Sequence, residues 1–265
     1  MKRLFRFFLT RNPSLYKLWL KMRGRFNAAS EAMVYMRTIR NGDVVIEIGA
    51  NQGHFTTIFS HLVGNKGKVY AFEPIPTTFR RLSRDVSANR WFDNVVFNNL
   101  AAGDVTGPIT LHMPDDDHGQ ASIMPQEVGS WSNAQEVSTY DCQICKLDDY
   151  IKDNSFAKPS FIKIDVEGAE LLVLKGAIET LTKHQPLIYL EICYAWSRNF
   201  GYAPSDIVSF LQTLGYRDFY LCSDSIRLIA DPQTELLPEK LPVSANLICT
   251  VPALHGSRMK NITSL

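Results

Sequence analysis

Short β-branched runs that stop at a glycine or an acid, each followed by a helical stripe, constrain this 265-residue chain more than any other feature. Val44-Val45-Ile46-Glu47-Ile48 ends at Gly49. Its nearly continuous apolar run reads as a parallel strand covered on both faces. Residues 55–63 carry a helical pattern, and Gly64-Asn65-Lys66-Gly67 makes a turn. A second strand over 68–72 is stopped by Glu73-Pro74. A helix over 77–89 then places Phe79, Leu82 and Val86 on one stripe, and a third strand occupies 94–97.

Two strand-like segments, 109–113 and 136–144, interrupt the alternation and flank a polar, loop-like stretch over 114–133. The order resumes with a strand over 161–166, a helix from 169 to about 184 and a strand over 187–194. A helix over 205–214 and strands near 219–222 and 246–251 follow. Strands alternating with helices predict a parallel-rich, three-layer α/β sandwich. The last two strands have no clear helix between them and predict an antiparallel edge hairpin.

The charge total, 28 Lys+Arg against 27 Asp+Glu, hides an asymmetry. Residues 1–30 hold eight basic residues and no acid; the remainder carries 20 basic and 27 acidic residues. An acidic body argues against broad nucleic-acid binding. In the basic segment, Leu15, Trp19 and Met22 recur at helical spacing, as in a helix that covers part of a fold or rests on an anionic membrane. Arg6 interrupts the apolar core that a signal peptide needs, and no stretch of about 18 apolar residues occurs. The five cysteines cannot all pair, so reduced thiols and a cytoplasmic protein are expected; peripheral membrane contact through residues 1–30 is the alternative to a helix that covers the fold. Cys142 and Cys145 form a lone CxxC, better read as strand positions than as a zinc site. Asn261-Ile262-Thr263 reads as a chance sequon in such a protein.

Ligands of open α/β sheets sit at the carboxyl ends of the strands, and three polar constellations fall there. Gly49 and Gly53 frame the turn Gly49-Ala50-Asn51-Gln52-Gly53, whose spacing is neither the dinucleotide fingerprint nor a P-loop. The turn holds no Lys or Arg to meet phosphate, while Glu47 beside it would attract a cation. Glu73 lies 24 residues after Gly49 at the end of strand two, placed to accept hydrogen bonds from ribose hydroxyls or to stand at a helix start. Asp165, Glu167 and Glu170 crowd the end of the 161–166 strand. A capped helix start explains one such acid more easily than three.

Together these segments resemble the FkbM-type family of S-adenosylmethionine-dependent methyltransferases. The resemblance is carried by Val45–Thr56, Ala71-Phe72-Glu73-Pro74, Asn99–Asp104, Leu147-Asp148-Asp149-Tyr150 and Ile162–Glu170. It implies a class I methyltransferase (Rossmann-like) three-layer sandwich, a seven-stranded, mostly parallel sheet with an antiparallel edge strand. It assigns cofactor binding to Glu47, Gly49, Asn51 and Gly53, the ribose to Glu73, and the adenine flanks to Ala101 and Asp104. The domain would run over 41–255, after a basic helical extension (1–40) and before a short tail (256–265). An acidic, lysine-free turn suits a sulfonium cofactor better than a pyrophosphate. A nicotinamide-dependent oxidoreductase would need the absent G-x-G-x-x-G turn, and a non-catalytic cofactor-binding scaffold remains the alternative from another class.

Methyl transfer from a sulfonium needs positioning and exclusion of water, and a hydroxyl acceptor also needs a base. Asp165 is the first candidate, with a role holding the methionine amino group as its rival. Glu167 and Glu191 are second choices and His118 a third. No metal site is assigned; Asp115, Asp116 and Asp117 read as solvated loop acids. The family implies O-methylation of a sugar, glycan or natural-product hydroxyl. Gln120-Ala121-Ser122 and the aromatic segment 194–202, with Trp196, Arg198, Asn199 and Tyr202, are candidates for the acceptor wall.

Overall fold

The structure is a computed structural model that describes residues 31–89, 93–114, 120–126, 131, 134, 136–154 and 158–263. The basic segment 1–30, the acids 115–117 and His118 lie outside the described residues. α1 (Glu31–Thr38) precedes β1 (Val44–Ile48), α2 (His54–Val63), β2 (Lys68–Phe72), α3 (Pro76–Asn89) and β3 (Val95–Asn98). A short β4 (Ala101–Ala102) and the pair β5 (Gly107–Pro114) and β6 (Val137–Cys145) follow. The alternation resumes through α4 (Leu147–Asn154), β7 (Phe161–Ile164), α5 (Glu170–Lys175), α6 (Ile178–His184), β8 (Leu187–Ile192) and α7 (Pro204–Thr213). β9 (Asp218–Cys222), β10 (Ile226–Leu228), β11 (Ala245–Thr250) and α8 (Pro252–Thr263) complete it.

The main sheet has the order β3-β2-β1-β7-β8-β11-β9-β10. β3, β2, β1, β7 and β8 are parallel neighbours, while β11 runs antiparallel to both β8 and β9. The sheet therefore has eight strands where seven were expected. The extra strand is β10, which pairs antiparallel with β9 from Ile226 opposite Cys222 and forms the antiparallel edge. Three residues after a Ser223–Ser225 turn are too short for the period-two signal to register. The order reverses between β1 and β7, so the carboxyl ends of these strands open a crevice there.

Strand parity builds the three layers. Ile46, Ile48, Ile162, Ile164, Ile188 and Leu190 face one core, against Leu171, Leu174, Leu181, Ile207 and Leu211 of α5, α6 and α7. Val45, Val69, Phe161 and Tyr189 face the other, against α1, α2, α3 and α8. Each such apolar side chain, fully buried, contributes about 1.5–3 kcal/mol. Residues 31–38 belong to this second layer. Tyr35 of α1 is buried, with ring centroids 4.8 Å from Phe59 and 5.0 Å from Tyr189.

The helix read over 169–184 is two helices, α5 and α6, broken at Gly176. A Cβ at Gly176 would lie 1.8 Å from the Gly103 carbonyl oxygen, so the corner seats directly on the backbone after β4. β4, β5 and β6 form a second, three-stranded sheet beside the crevice. Cys142 and Cys145 lie on β6; all five cysteines are free and buried.

Candidate active site

A cleft of about 680 Å³ opens at the carboxyl ends of β1, β2 and β7. Gly49, Asn51, Glu73, Ala101, Asp165 and Glu167 line it, with apolar walls from Leu100, Leu111 and Val166. No Lys or Arg is among the described lining residues.

The turn after β1 owes its shape to its glycines and one strained asparagine. Gly49 has φ 80°, and a Cβ there would lie 1.8 Å from the Asp165 carbonyl oxygen. Glycine thus lets the ends of β1 and β7 close together behind the cleft. Gly53 also has a positive φ, 84°, but a Cβ there would meet Val86 and Leu82 of α3 at 2.4 and 2.7 Å, so its work is helix packing. Asn51 (φ 48°) and Glu167 (φ 56°) are non-glycine residues in the left-handed region, and both line the cleft. Such strain, about 1 kcal/mol or more per residue, concentrates at functional sites. The buried Asn51 Oδ1 has no hydrogen-bond partner among the described residues and is available to a ligand donor.

Glu73 ends β2 and is tied in place by its own backbone surroundings. Asn51 N donates to its Oε2 (2.9 Å) and Ile75 N to its Oε1 (3.0 Å). Burial raises its pKa to about 7 in spite of these bonds. Each oxygen retains acceptor capacity, as a ribose diol requires. Glu47 lies behind the turn rather than on the cleft. It is fully buried, accepts from Thr56 Oγ1 at 2.6 Å, and its Oε1 has no hydrogen-bond partner among the described residues. Burial raises it to about 8, against the nearby Lys163 ammonium and the Thr56 bond.

Lys163 is the buried charge beside the cleft acids that sequence reasoning passed over. It sits in register between Glu47 and Tyr189 on adjacent strands and is buried. Its Nζ donates to Asp165 Oδ2 at 2.8 Å and stands 5.3 Å from the Phe55 ring centroid. Burial favours the neutral amine, but Asp165, Glu47 and Glu31 outweigh it and raise the pKa. The one available signal was a lysine enclosed by Phe161, Ile162 and Ile164. Its acidic partners depend on inter-strand register, which a single sequence does not display.

Asp165, Glu167 and Glu191 bring carboxylate oxygens within 4.8 Å of one another. Burial opposes the charge on Asp165, yet Lys163 prevails and holds it below the usual carboxylate range. Glu191 moves the other way: burial and the adjacent Asp165 charge push it up to about 9. Asp165 and Glu191 are coupled through a shared hydrogen bond, so the two titrate as a pair. Glu170 serves the turn instead, accepting from Val166 N and Gly168 N at 3.2 Å each.

The loop after β5 closes one wall. Ser122 forms a bridge with His112, and its Oγ donates to the Glu167 carbonyl oxygen at 3.1 Å. Gln126 Nε2 donates to the same carbonyl (3.2 Å), and Asn199 Nδ2 donates to Gln126 Oε1 (2.8 Å). Ala121 and Ser122 line the cleft, whereas Trp196 and Tyr202 are buried. The Tyr202 hydroxyl lies 2.8 Å from the Gly168 carbonyl oxygen and 3.1 Å from Glu170 Oε2, so this ring backs the turn and presents no face to the cleft. Of the adenine pair, Ala101 lines the cleft and Asp104 lies outside the lining.

Comparison with known proteins accords with this geometry. The methyltransferase FkbM domain matches residues 47–217. Hexuronic acid methyltransferase AglP of Haloferax volcanii is 29% identical over 173 residues, 64% of this chain and 62% of that protein. The 2-O-methyltransferase NoeI of Sinorhizobium fredii is 27% identical, over 56% of this chain and 62% of its own. The 31-O-demethyl-FK506 methyltransferase FkbM of Streptomyces tacrolimicus is 28% identical, over 52% and 60%. The chain thus spans just over three fifths of the length of each of these three relatives.

Proposed function

The chain belongs to the FkbM methyltransferase family, and from that premise we propose that it methylates a hydroxyl of a sugar, glycan or natural product with S-adenosylmethionine. The observation that carries the proposal is the cleft itself: three carboxylates on its lining, an unpartnered Asn51 Oδ1, and no described Lys or Arg. That donor set fits a ligand with a ribose diol and a net positive charge, and it would repel a pyrophosphate. The hydroxyl class follows the relatives, two of which are O-methyltransferases by name and one a hexuronic acid methyltransferase.

S-adenosylmethionine supplies a methyl group activated on a sulfonium sulfur. The residues of this chain do the rest. Glu73 accepts from the ribose, and Asn51 and Gly49 shape the turn around it. The apolar residues Leu100, Ala101 and Leu111 offer a dry surface for a flat base. Asp165, ionised beside Lys163, faces the cleft and takes the acceptor's proton. The loop bridged at Ser122 limits water on that side.

Transfer of labelled methyl from S-adenosylmethionine into an extract of host glycans and small molecules tests the function; label found in neither fraction would remove the acceptor class. No described helix is long and apolar enough to cross a membrane. For residues 1–30 we propose a peripheral contact with anionic lipid, checked by flotation with liposomes against a chain starting at Glu31.

A further inference from the structure

Among the described residues, the carboxyls of Asp165 and Glu191 share one ammonium at the cleft. Lys163 donates to Asp165, and the oxygens of Asp165, Glu167 and Glu191 lie within 4.8 Å of one another. Glu170 faces the same group from α5, Glu47 from β1, and Glu31 and Tyr35 from α1. On β8, Tyr189 lies 3.4 Å from Glu31 Oε1 and Cys193 follows the strand. Opposite Glu191 on β11 stands Asn246, which carries no charge. The Lys163 ammonium, shared by Asp165 and Glu191, cannot neutralise both. Two carboxyl groups in contact in such a place do not both ionise, and the second proton stays.

We propose that Asp165 and Glu191 form a one-proton reservoir, which gives up its proton when a sulfonium occupies the cleft and regains it from the acceptor hydroxyl. The inference rests on the methyltransferase reading and deepens it. Lys163 decides where the charge sits, because its bond to Asp165 leaves Glu191 as the member that stores the proton. A sulfonium brings the positive charge that this excess of carboxylate lacks, so the stored proton leaves to solvent. In the transfer, the acceptor oxygen bonds to the methyl carbon and the carbon–sulfur electron pair remains on sulfur as a neutral thioether. The hydroxyl proton passes to Asp165 and on to Glu191. Once the thioether leaves, the pair holds the proton it began with, and no further reactant is needed.

Calorimetry in two buffers of different ionisation enthalpy, at about pH 7.5, counts protons released on binding. S-adenosylmethionine should release about one proton more than S-adenosylhomocysteine. Both ligands carry the ribose, so any proton from Glu73 cancels in the difference. In Glu191→Gln the excess should vanish while both ligands still bind. Glu191 in the free protein is pushed up to about 9. Affinity for the sulfonium ligand should therefore rise with pH up to that value, by as much as about tenfold per unit, more steeply than for the thioether. This pH series needs only the unaltered protein and keeps the inference testable if Glu191→Gln does not fold. Equal release for the two ligands, or an undiminished excess in Glu191→Gln, would overturn the reservoir alone. No binding of either ligand would remove the methyltransferase reading and the reservoir with it.

Discussion

Two buried acid–base pairs stand at opposite ends of the sheet. At the amino end, Arg258 of α8 reaches Asp43 through Nη1 (2.5 Å) and Nη2 (2.9 Å), Arg40 N donates to Asp43 Oδ2 (2.7 Å), and Arg258 Nη1 also donates to the Thr38 carbonyl (2.7 Å). One acid meets one fork-shaped cation and every contact is answered. At the carboxyl end, Lys163 answers Asp165 with a single bond while Glu191 and Glu167 crowd in and Glu47 lies buried behind. The first pair ties α8 to the start of β1 and has no surplus to spend on a ligand. The second is over-acidic at the mouth of a cleft, an arrangement that folding alone does not favour. Satisfaction marks the pair that serves the fold; its lack marks the pair for which we propose a role in the cleft.

The largest expected effect breaks the second pair. Asp165→Asn should lower kcat for methyl transfer, read at saturating cofactor, by about 10²–10⁴-fold, the usual worth of a positioned base. Full-rate transfer by this variant would place the base elsewhere. Breaking the first pair should do the converse. Arg258→Met leaves Asp43 buried without its cation and should lower unfolding stability in urea by about 3 kcal/mol. Cofactor affinity should stay unchanged. A loss of affinity there would mean that the two ends are coupled.

Glu73→Ala comes next. It would remove the ribose contacts proposed for this carboxyl and free Asn51 N, so affinity for S-adenosylmethionine should fall by about a hundredfold. Equal binding by the variant would withdraw the ribose assignment.

The two ends were not equally legible. Gly49, Glu73 and Asp165 announce themselves because a glycine or an acid ends an apolar run, and strand ends are where such sheets bind. The Asp43–Arg258 pair joins residues 215 positions apart, and no local pattern links them. Lys163 was hidden for a related reason: its partner Glu47 lies beside it only through the β1–β7 register. The aromatic segment 194–202 left two readings open, an acceptor wall or a loop packed under its own aromatics, because composition does not tell which way a ring points. Trp196 and Tyr202 pack behind the Gly168 turn, where a Cβ on Gly168 would meet the Trp196 backbone at 3.0 Å. α1 lay within the stretch assigned to an extension, since its burial comes from contacts with α2, β7 and β8 that its own eight residues do not reveal.

The smallest expected effect sharpens the comparison within the carboxyl end itself, between an acid that serves the cleft and one that serves the fold. Glu170 is buried, and burial raises its pKa to about 7 in spite of the Val166 and Gly168 N–H bonds. Its folded-state pKa therefore exceeds the unfolded value. The folded chain holds this proton more tightly, so the stabilisation is complete in acid, below the unfolded carboxyl's pKa, and is lost as pH rises through about 7. Glu170→Gln keeps an oxygen for the two N–H donors and an NH2 group toward the Tyr202 hydroxyl, with nothing to titrate. The unaltered protein should lose stability between about pH 5.5 and 8.5, and Glu170→Gln should lose about 2 kcal/mol less over the same range. Thermal melts across that range decide it. Cofactor affinity should be untouched, because Glu170 does not line the cleft. Parallel melting curves would show that the Glu170 proton is not held by the fold.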